Sequence, residues 1–351
     1  GTETEPDGPR DAGYAPTVSP AVGNPRPRGQ LADAAVVTDI LPFPTHRPVP
    51  VGVLGSTSLV GRFLIPRLVR QGHTVVACSR TPPLQPPPSL GTVAWCRPGD
   101  PRPGGCDRVP AWIALCPIWA TVAQLGWLES LGVERLVAVS STSLITKEQS
   151  SDPVERQLVA RLTAAEEFLE AWAADHDVIT TVLRPTMIYD GVGDGNVSAI
   201  ASCVRRFGWF PLCGSATGLR QPVHADDVAA ACVAATYHPN PQPGYTLSGG
   251  EPLSFHDLVV RTCRAHGLPP RTIRLPGWAW RSLVATAHGL GFLQTVSPAM
   301  GGRMSDDLAF DHTAAAADLG FQPRPFVPGG GRDPDGGSTP PPDGPRGRGT
   351  V

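Results

Sequence analysis

The chain of 351 residues has a formal charge of −2 at pH 7 and is 41% hydrophobic, enough apolar material for one large domain or two modest ones with a filled core. That near-neutral balance argues against nucleic acid as the main partner. Lys147 is the single lysine among 29 basic residues, so any lysine-dependent chemistry is easy to locate.

Residues 1–48 are rich in Pro, Gly and charge, with only Leu31 to Phe43 apolar enough to dock, and 328–351 are almost wholly Pro, Gly, Asp and Arg. Both ends read as disordered tails. Between them, over 49–327, short apolar runs alternate with helical patterns, which predicts an α/β fold with a doubly wound, Rossmann-like parallel sheet. The strands fall at Val51 to Leu54, Thr74 to Cys78, Thr92 to Cys96, Ala111 to Cys116, Arg135 to Ser140 and Ile179 to Leu183. Helices fit at Leu59 to Gln71, Ile118 to Leu131 and Asp152 to Ala174, whereas Gln85 to Ser89 is too proline-rich for one. In the last of these, Val154, Leu158, Leu162, Ala165, Leu169 and Trp172 recur at helical spacing and mark its buried face. Beyond Arg184 the pattern becomes irregular, with helices at Val197 to Phe207, after Asp226 and from Phe255 to Leu319. A small C-terminal substrate lobe drawn mainly from 186–217 and 248–327 is expected, folded over one edge of the sheet.

Eight cysteines (Cys78, Cys96, Cys106, Cys116, Cys203, Cys213, Cys232 and Cys263) form no C-x-x-C pair and have no histidine at zinc-site spacing. They read as buried free thiols of a cytoplasmic protein, with no metal, and disulfides are the alternative. No secretory leader pattern is recognisable, and Pro276 to Val296, the nearest approach to a membrane segment, is interrupted by Arg281 and His288. A packed amphipathic helix, without stable membrane insertion, is the expectation there, and an interfacial membrane helix is the alternative.

The most informative local feature is Gly55-Ser-Thr-Ser-Leu-Val-Gly61, which follows an apolar run and opens an amphipathic stretch. A strand, a tight turn and a helix N-terminus in that order can hold a phosphate. Gly55 allows the chain to reverse, Gly61 allows close helix packing, and Ser58 replaces a common middle glycine with a hydroxyl able to cap the helix. The next apolar run ends in Ser79 and Arg80, where an arginine suits a ribose 2′-phosphate better than a hydroxyl.

Further motifs follow in order: Val139-Ser140-Ser141-Thr142, Leu183-Arg184-Pro185-Thr186-Met187-Ile188-Tyr189, Arg220-Gln-Pro-Val-His224-Ala-Asp226-Asp227-Val228 and Tyr245-Thr-Leu-Ser-Gly-Gly250. With these, the chain from about Val51 to Phe326 resembles the extended short-chain dehydrogenase/reductase superfamily, which includes the NAD-dependent epimerases and dehydratases. The resemblance implies that Gly55, Thr57, Ser58, Leu59, Val60 and Gly61 line a pyrophosphate, and that Ser79 and Arg80 hold the 2′-phosphate of NADP, with NAD as the alternative cofactor. It also implies that Leu115, Cys116 and Pro117 pass beneath the ribose, that Pro185, Met187 and Ile188 flank the nicotinamide, that Ser140 at the end of the fifth strand contacts the cofactor, and that Ser141 or Thr142 faces the substrate carbonyl or hydroxyl. The implied small-molecule substrate is a sugar nucleotide or another polyol, and a homodimer is one open assembly state.

The same resemblance exposes a departure. Members that move hydride carry Tyr-x-x-x-Lys on the helix after the fifth strand, where the lysine lowers the tyrosine pKa for general acid–base work. No Tyr-x-x-x-Lys occurs anywhere in this chain, and alignment of the helix puts Val159 and Thr163 at those positions. Ser141, Thr142 and Lys147 are the remaining catalytic candidates; the alternatives are a capping turn for the two hydroxyls and a solvated ion-pair loop for Lys147. Arg220 and Tyr189 are substrate-binding candidates, against pairing with Asp226 or Asp227 for the arginine and simple packing for the tyrosine. His224, Asp226 and Asp227 read as a turn and helix cap rather than a metal site. The expected function is an NAD(P)-dependent, epimerase-like oxidoreductase, and the alternative is a non-catalytic NADPH-binding regulatory or assembly protein.

Overall fold

In the computed structural model the strands are β1 (Val51–Leu54), β2 (Val75–Cys78), β3 (Val93–Cys96), β4 (Ala111–Ala114), β5 (Arg135–Val139), β6 (Ile179–Pro185), β7 (Ile188–Tyr189), β8 (Phe210–Cys213), β9 (Leu219–Arg220), β10 (Val223–His224), β11 (Gly244–Leu247), β12 (Leu253–Ser254) and β13 (Thr272–Leu275). The helices are α1 (Gly61–Arg70), α2 (Ile118–Val122), α3 (Leu125–Ser130), α4 (Ser143–Thr146), α5 (Pro153–His176), α6 (Val197–Phe207), α7 (Ala225–Tyr237), α8 (Phe255–Ala265), α9 (Gly277–Gly289), α10 (Ala299–Arg303) and α11 (Thr313–Leu319). The structure describes residues 49–83, 93–146, 150, 152–191, 193–289 and 299–329. The expected tails over 1–48 and from 330 onward, the Gln85 to Ser89 stretch and Lys147 lie outside the described residues.

Seven strands form one parallel sheet in the order β3-β2-β1-β4-β5-β6-β11. β1, β2 and β4 are buried along their whole length, as their uninterrupted apolar sequences demand of strands covered on both faces. One face is closed by α1 and α7 through Leu64, Leu68, Val228 and Cys232; the other by α2, α3 and α5 through Ile118, Leu128, Leu162 and Leu169. This is the doubly wound Rossmann-like architecture. A third core, around Tyr189, Ile200, Leu212, Leu258, Trp280 and Phe326, builds the C-terminal lobe with three two-stranded ladders: β7–β10, β8–β13 and β9–β12.

Local chemistry accounts for the element ends. The Ser58 hydroxyl accepts the Gly61 amide at 3.2 Å, so α1 starts at Gly61 and Leu59 and Val60 belong to the turn. Asp152 caps α5 by accepting from Val154 N at 2.9 Å, with Pro153 in the first helical position, a pairing worth about 1 kcal/mol.

Three expectations are corrected. The helix read over Ile118 to Leu131 is two helices, broken at Ala123 and Gln124 just after the β-branched pair Thr121 and Val122. The Tyr245-Thr-Leu stretch, left without a strand assignment, supplies β11 at the edge of the main sheet. Cys78 and Cys96 are not free thiols: they face each other across β2 and β3 with Cα atoms 4.9 Å apart and are joined as a disulfide. The other six cysteines are free, as expected, but only Cys213, Cys232 and Cys263 are buried, while Cys106, Cys116 and Cys203 are half-buried.

Candidate functional site

The turn after β1 is built around two positions that admit only glycine. Gly55 has φ +72°, and a Cβ there would lie 2.8 Å from Cys116 N; at Gly61 a Cβ would lie 2.3 Å from Ser56 O. The turn is pinned to the end of β2, because Gly55 N and Ser56 Oγ both donate to Cys78 O, at 3.0 and 2.9 Å. Thr57 Oγ1 and Ser79 Oγ share a hydrogen bond of 3.1 Å. The first turn of α1 holds no acidic side chain, which leaves its N-terminal dipole free for an anion. Arg80 stands exposed just beyond Ser79 and makes no ion pair among the described residues.

On the other side of β1, Leu115 N donates to Leu54 O at 2.8 Å, so the Leu115–Cys116–Pro117 segment runs directly beside Gly55. Burial pushes the Cys116 thiol pKa up, and Thr121 Oγ1 lies 3.3 Å from its sulfur. The chain crosses to opposite sides of the sheet from β1, leaving a crevice at the carboxyl ends of β1 and β4, where doubly wound sheets take their ligands.

Ser140 to Ser143 lie at the end of β5. Ser141 Oγ accepts from Ser143 N at 3.1 Å, and the buried Thr142 hydroxyl donates to Pro185 O at 3.2 Å. Ser140 Oγ is buried and lacks a hydrogen-bond partner among the described residues. Beside them is a cavity of about 150 Å³ lined by Pro117, Ile118, Trp119, Val139, Ser140, Ser141, Ser143, Leu158 and Leu162. No titratable side chain is among these residues. The two positions one turn apart on α5 that face the serines are Leu158 and Leu162, one residue before Val159 and Thr163. Leu158 and Leu162 are visible in the sequence as part of the helix's apolar face, but not as the wall opposite Ser140.

Pro185 ends β6, and the next residues join two cores: Met187 packs on the lobe and Ile188 on the sheet. Tyr189 is fully buried, with His224 and Phe326 edge-on to its ring at 5.1 and 4.9 Å. Its hydroxyl accepts from Val327 N at 3.2 Å, and burial raises its pKa. Arg220 is 6% exposed, and its nitrogens donate to Leu219 O at 2.6 Å, to Asp306 O at 2.8 Å and to Arg303 O, with Phe255 stacked 5.3 Å from the guanidinium. Burial lowers its pKa to about 10, so it stays cationic at neutral pH. It therefore ties the closing segment of the lobe to β9.

His224 caps α7, its Nδ1 accepting from Asp226 N at 3.1 Å. Asp226 and Asp227 both meet Arg324 at 2.7 Å, and Asp226 also meets Arg67 of α1 at 2.6 Å. Burial alone would raise the Asp226 pKa, but the two guanidinium groups overcome it and hold it low. This bridge, with partners up to 159 residues apart, has no local sequence signal. No cluster able to hold a metal occurs among the described residues. No helix there is long and apolar enough to cross a membrane.

With strand order, glycine turn and crevice in place, the likeness to known proteins is specific. Residues 118–247 match the NAD dependent epimerase/dehydratase family. The match runs from the start of α2 to the end of β11. It is 27% identical over 299 residues to the uncharacterized protein y4nG of Sinorhizobium fredii, covering 78% of this chain and 74% of that protein. It is also 27% identical over 251 residues to the mitochondrial NADH dehydrogenase [ubiquinone] 1 alpha subcomplex subunit 9 of Arabidopsis thaliana, covering 64% of this chain and 60% of the plant protein. The solved structure of MoeE5 in complex with UDP-glucose and NAD shares the fold, with a TM-score of 0.55 and 22% identity over 80% of this chain and 95% of that one.

Proposed function

We propose that this epimerase-like chain binds NADP(H), in preference to NAD(H), in the crevice between the Gly55 turn and the Leu115–Pro117 segment. The observation that carries the reading is the cradle itself: at Gly55 and Gly61 a single added Cβ would strike backbone, and the α1 N-terminus beside them carries no acidic charge. Ser79 and the exposed Arg80 would take the 2′-phosphate, while Pro185, Met187 and Ile188 would flank the nicotinamide, which supplies hydride exchange when bound. The accompanying substrate is of the sugar-nucleotide or polyol class, by analogy with MoeE5, and would approach from the side of Ser141 and Thr142, with Lys147, five residues on in sequence from Thr142, as the candidate cation.

A second reading, binding without turnover, is favoured by one feature: Leu158 and Leu162 face the serines where a proton-transfer pair would be needed. The likeness to the plant complex subunit accords with it. Calorimetric titration with NADPH and NADH, followed by turnover assays on a panel of nucleotide sugars with the wild type and Lys147→Ala, separates the two. Tight NADPH binding with no turnover in either protein would remove the enzymatic reading. No nucleotide binding at all would remove both.

A further inference from the structure

The C-terminal lobe carries a long cationic stretch free of acidic residues. From Leu258 to Ser305 there are six arginines and no aspartate or glutamate, although the whole chain carries more acidic residues (31) than lysine plus arginine (29). Two of the six are neutralised from outside the run, Arg261 by Glu251 and Arg303 by Glu155. Arg271, Arg274 and Arg281 are exposed and make no ion pair among the described residues.

The same segment exposes apolar side chains. Trp278 at the start of α9 is 74% exposed, Ile273 on β13 is 45% exposed, and Phe207 at the end of α6 is 52% exposed. These residues follow one edge of the lobe. β13 runs parallel to β8 with Thr272 opposite Phe210, and Phe210 N donates to Arg271 O at 2.8 Å, which brings the end of α6 beside Arg271. α9 begins two residues after β13, its Trp280 and Val284 buried in the lobe core while Trp278 and Arg281 point outward.

We propose that this edge docks peripherally on an anionic lipid bilayer, the arginines meeting headgroup phosphates and Trp278, Ile273 and Phe207 entering the interface. Charge complementarity selects the partner's sign, since no acidic residue interrupts the edge. The interleaved indole and aliphatic side chains favour a surface with an apolar layer beneath its charge over a purely polyanionic one. The short α9, with only one face buried, suits lying on a membrane rather than crossing it.

The test is cosedimentation of the full chain with vesicles of phosphatidylcholine alone or mixed with phosphatidylglycerol. Binding is expected only to the mixed vesicles, weakening as salt is raised. Each arginine replaced by glutamine should lose about fivefold in partitioning, and Arg271→Gln, Arg274→Gln and Arg281→Gln together roughly a hundredfold. Trp278→Ala should lose roughly tenfold at unchanged charge. All four side chains are exposed, so the variants should fold, and unchanged nucleotide titration would verify it. The proposal is overturned by equal binding to neutral vesicles, by no binding to either, or by a triple variant that binds as the wild type does. Duplex DNA displacing the protein from mixed vesicles would assign the edge to nucleic acid instead.

Discussion

The turn at Gly55 and the serine cluster at Ser140 stand at the ends of neighbouring parts of one sheet, yet they are furnished in opposite ways. Around the turn, the polar groups form a closed set: Ser56 and Thr57 reach β2 and its end, and Ser58 caps α1. Around the serines, two hydroxyls are turned inward to backbone, the third has no partner among the described residues, and leucines form the facing wall. A nucleotide cradle needs backbone amides and room, which glycines supply, whereas proton transfer needs a titratable group within reach. The first requirement can persist in a sequence after the second has been lost, so binding and chemistry must be tested separately.

The largest effect should come from filling the cradle. Gly61→Ala puts a methyl group 2.3 Å from Ser56 O, and backbone cannot yield as a flexible side chain does. A loss of about 1–3 kcal/mol in denaturant-monitored stability is expected, together with loss of nucleotide binding. If the variant is as stable as the wild type and still binds NADPH, the turn is not the cradle described. Next in size is Arg80→Ala, which should weaken NADPH by roughly 10- to 100-fold, as loss of a charge-assisted contact does, and leave NADH nearly unchanged. Equal losses for both nucleotides would dissociate Arg80 from the 2′-phosphate.

The two regions were unequally legible in the sequence for the same physical reason. The turn is local: its glycines, the capping serine and the following apolar helix lie within a few residues, and β1, β2 and β4 announce themselves as unbroken apolar runs. The serine site is not local. The periodicity of α5 reveals that Leu158 and Leu162 share a face, but only its packing beside α2 and α4 turns that face toward Ser140. The bridge from Arg324 to Asp226 and Asp227, and the pairing of Cys78 with Cys96, likewise depend on register and closure that no short window contains.

A smaller effect probes the serine side. Ser140→Ala removes a buried hydroxyl that has no partner in the described structure, so the unliganded protein should gain about 1 kcal/mol rather than lose it. A destabilised variant would mean that the hydroxyl is satisfied, and the contrast with the turn would narrow. If instead a nucleotide sugar binds and the stabilised variant has lost that binding, the hydroxyl is a ligand contact.

The smallest effect lies between α1 and the lobe, where the His224 ring is edge-on to Phe63 of α1 at 5.3 Å and to Tyr189 of the lobe at 5.1 Å. Burial lowers its pKa, with Arg324 acting in the same direction and Asp227, Asp226 and Asp190 opposing. Burial likewise lowers that of His73. For both, the unfolded state binds the proton more readily than the folded one, so their contribution is present in full above the unfolded value of about 6.5 and is lost as pH falls below it. Asp226, held low by Arg67 and Arg324, adds a loss of the same sign in the carboxylate range. Stability measured by urea unfolding should therefore decline from pH 7.5 to pH 5.5, and His224→Asn should flatten part of that slope while leaving the His73 part. A His224→Asn protein whose slope matches the wild type would show that the imidazole between α1 and the lobe is not what senses the proton.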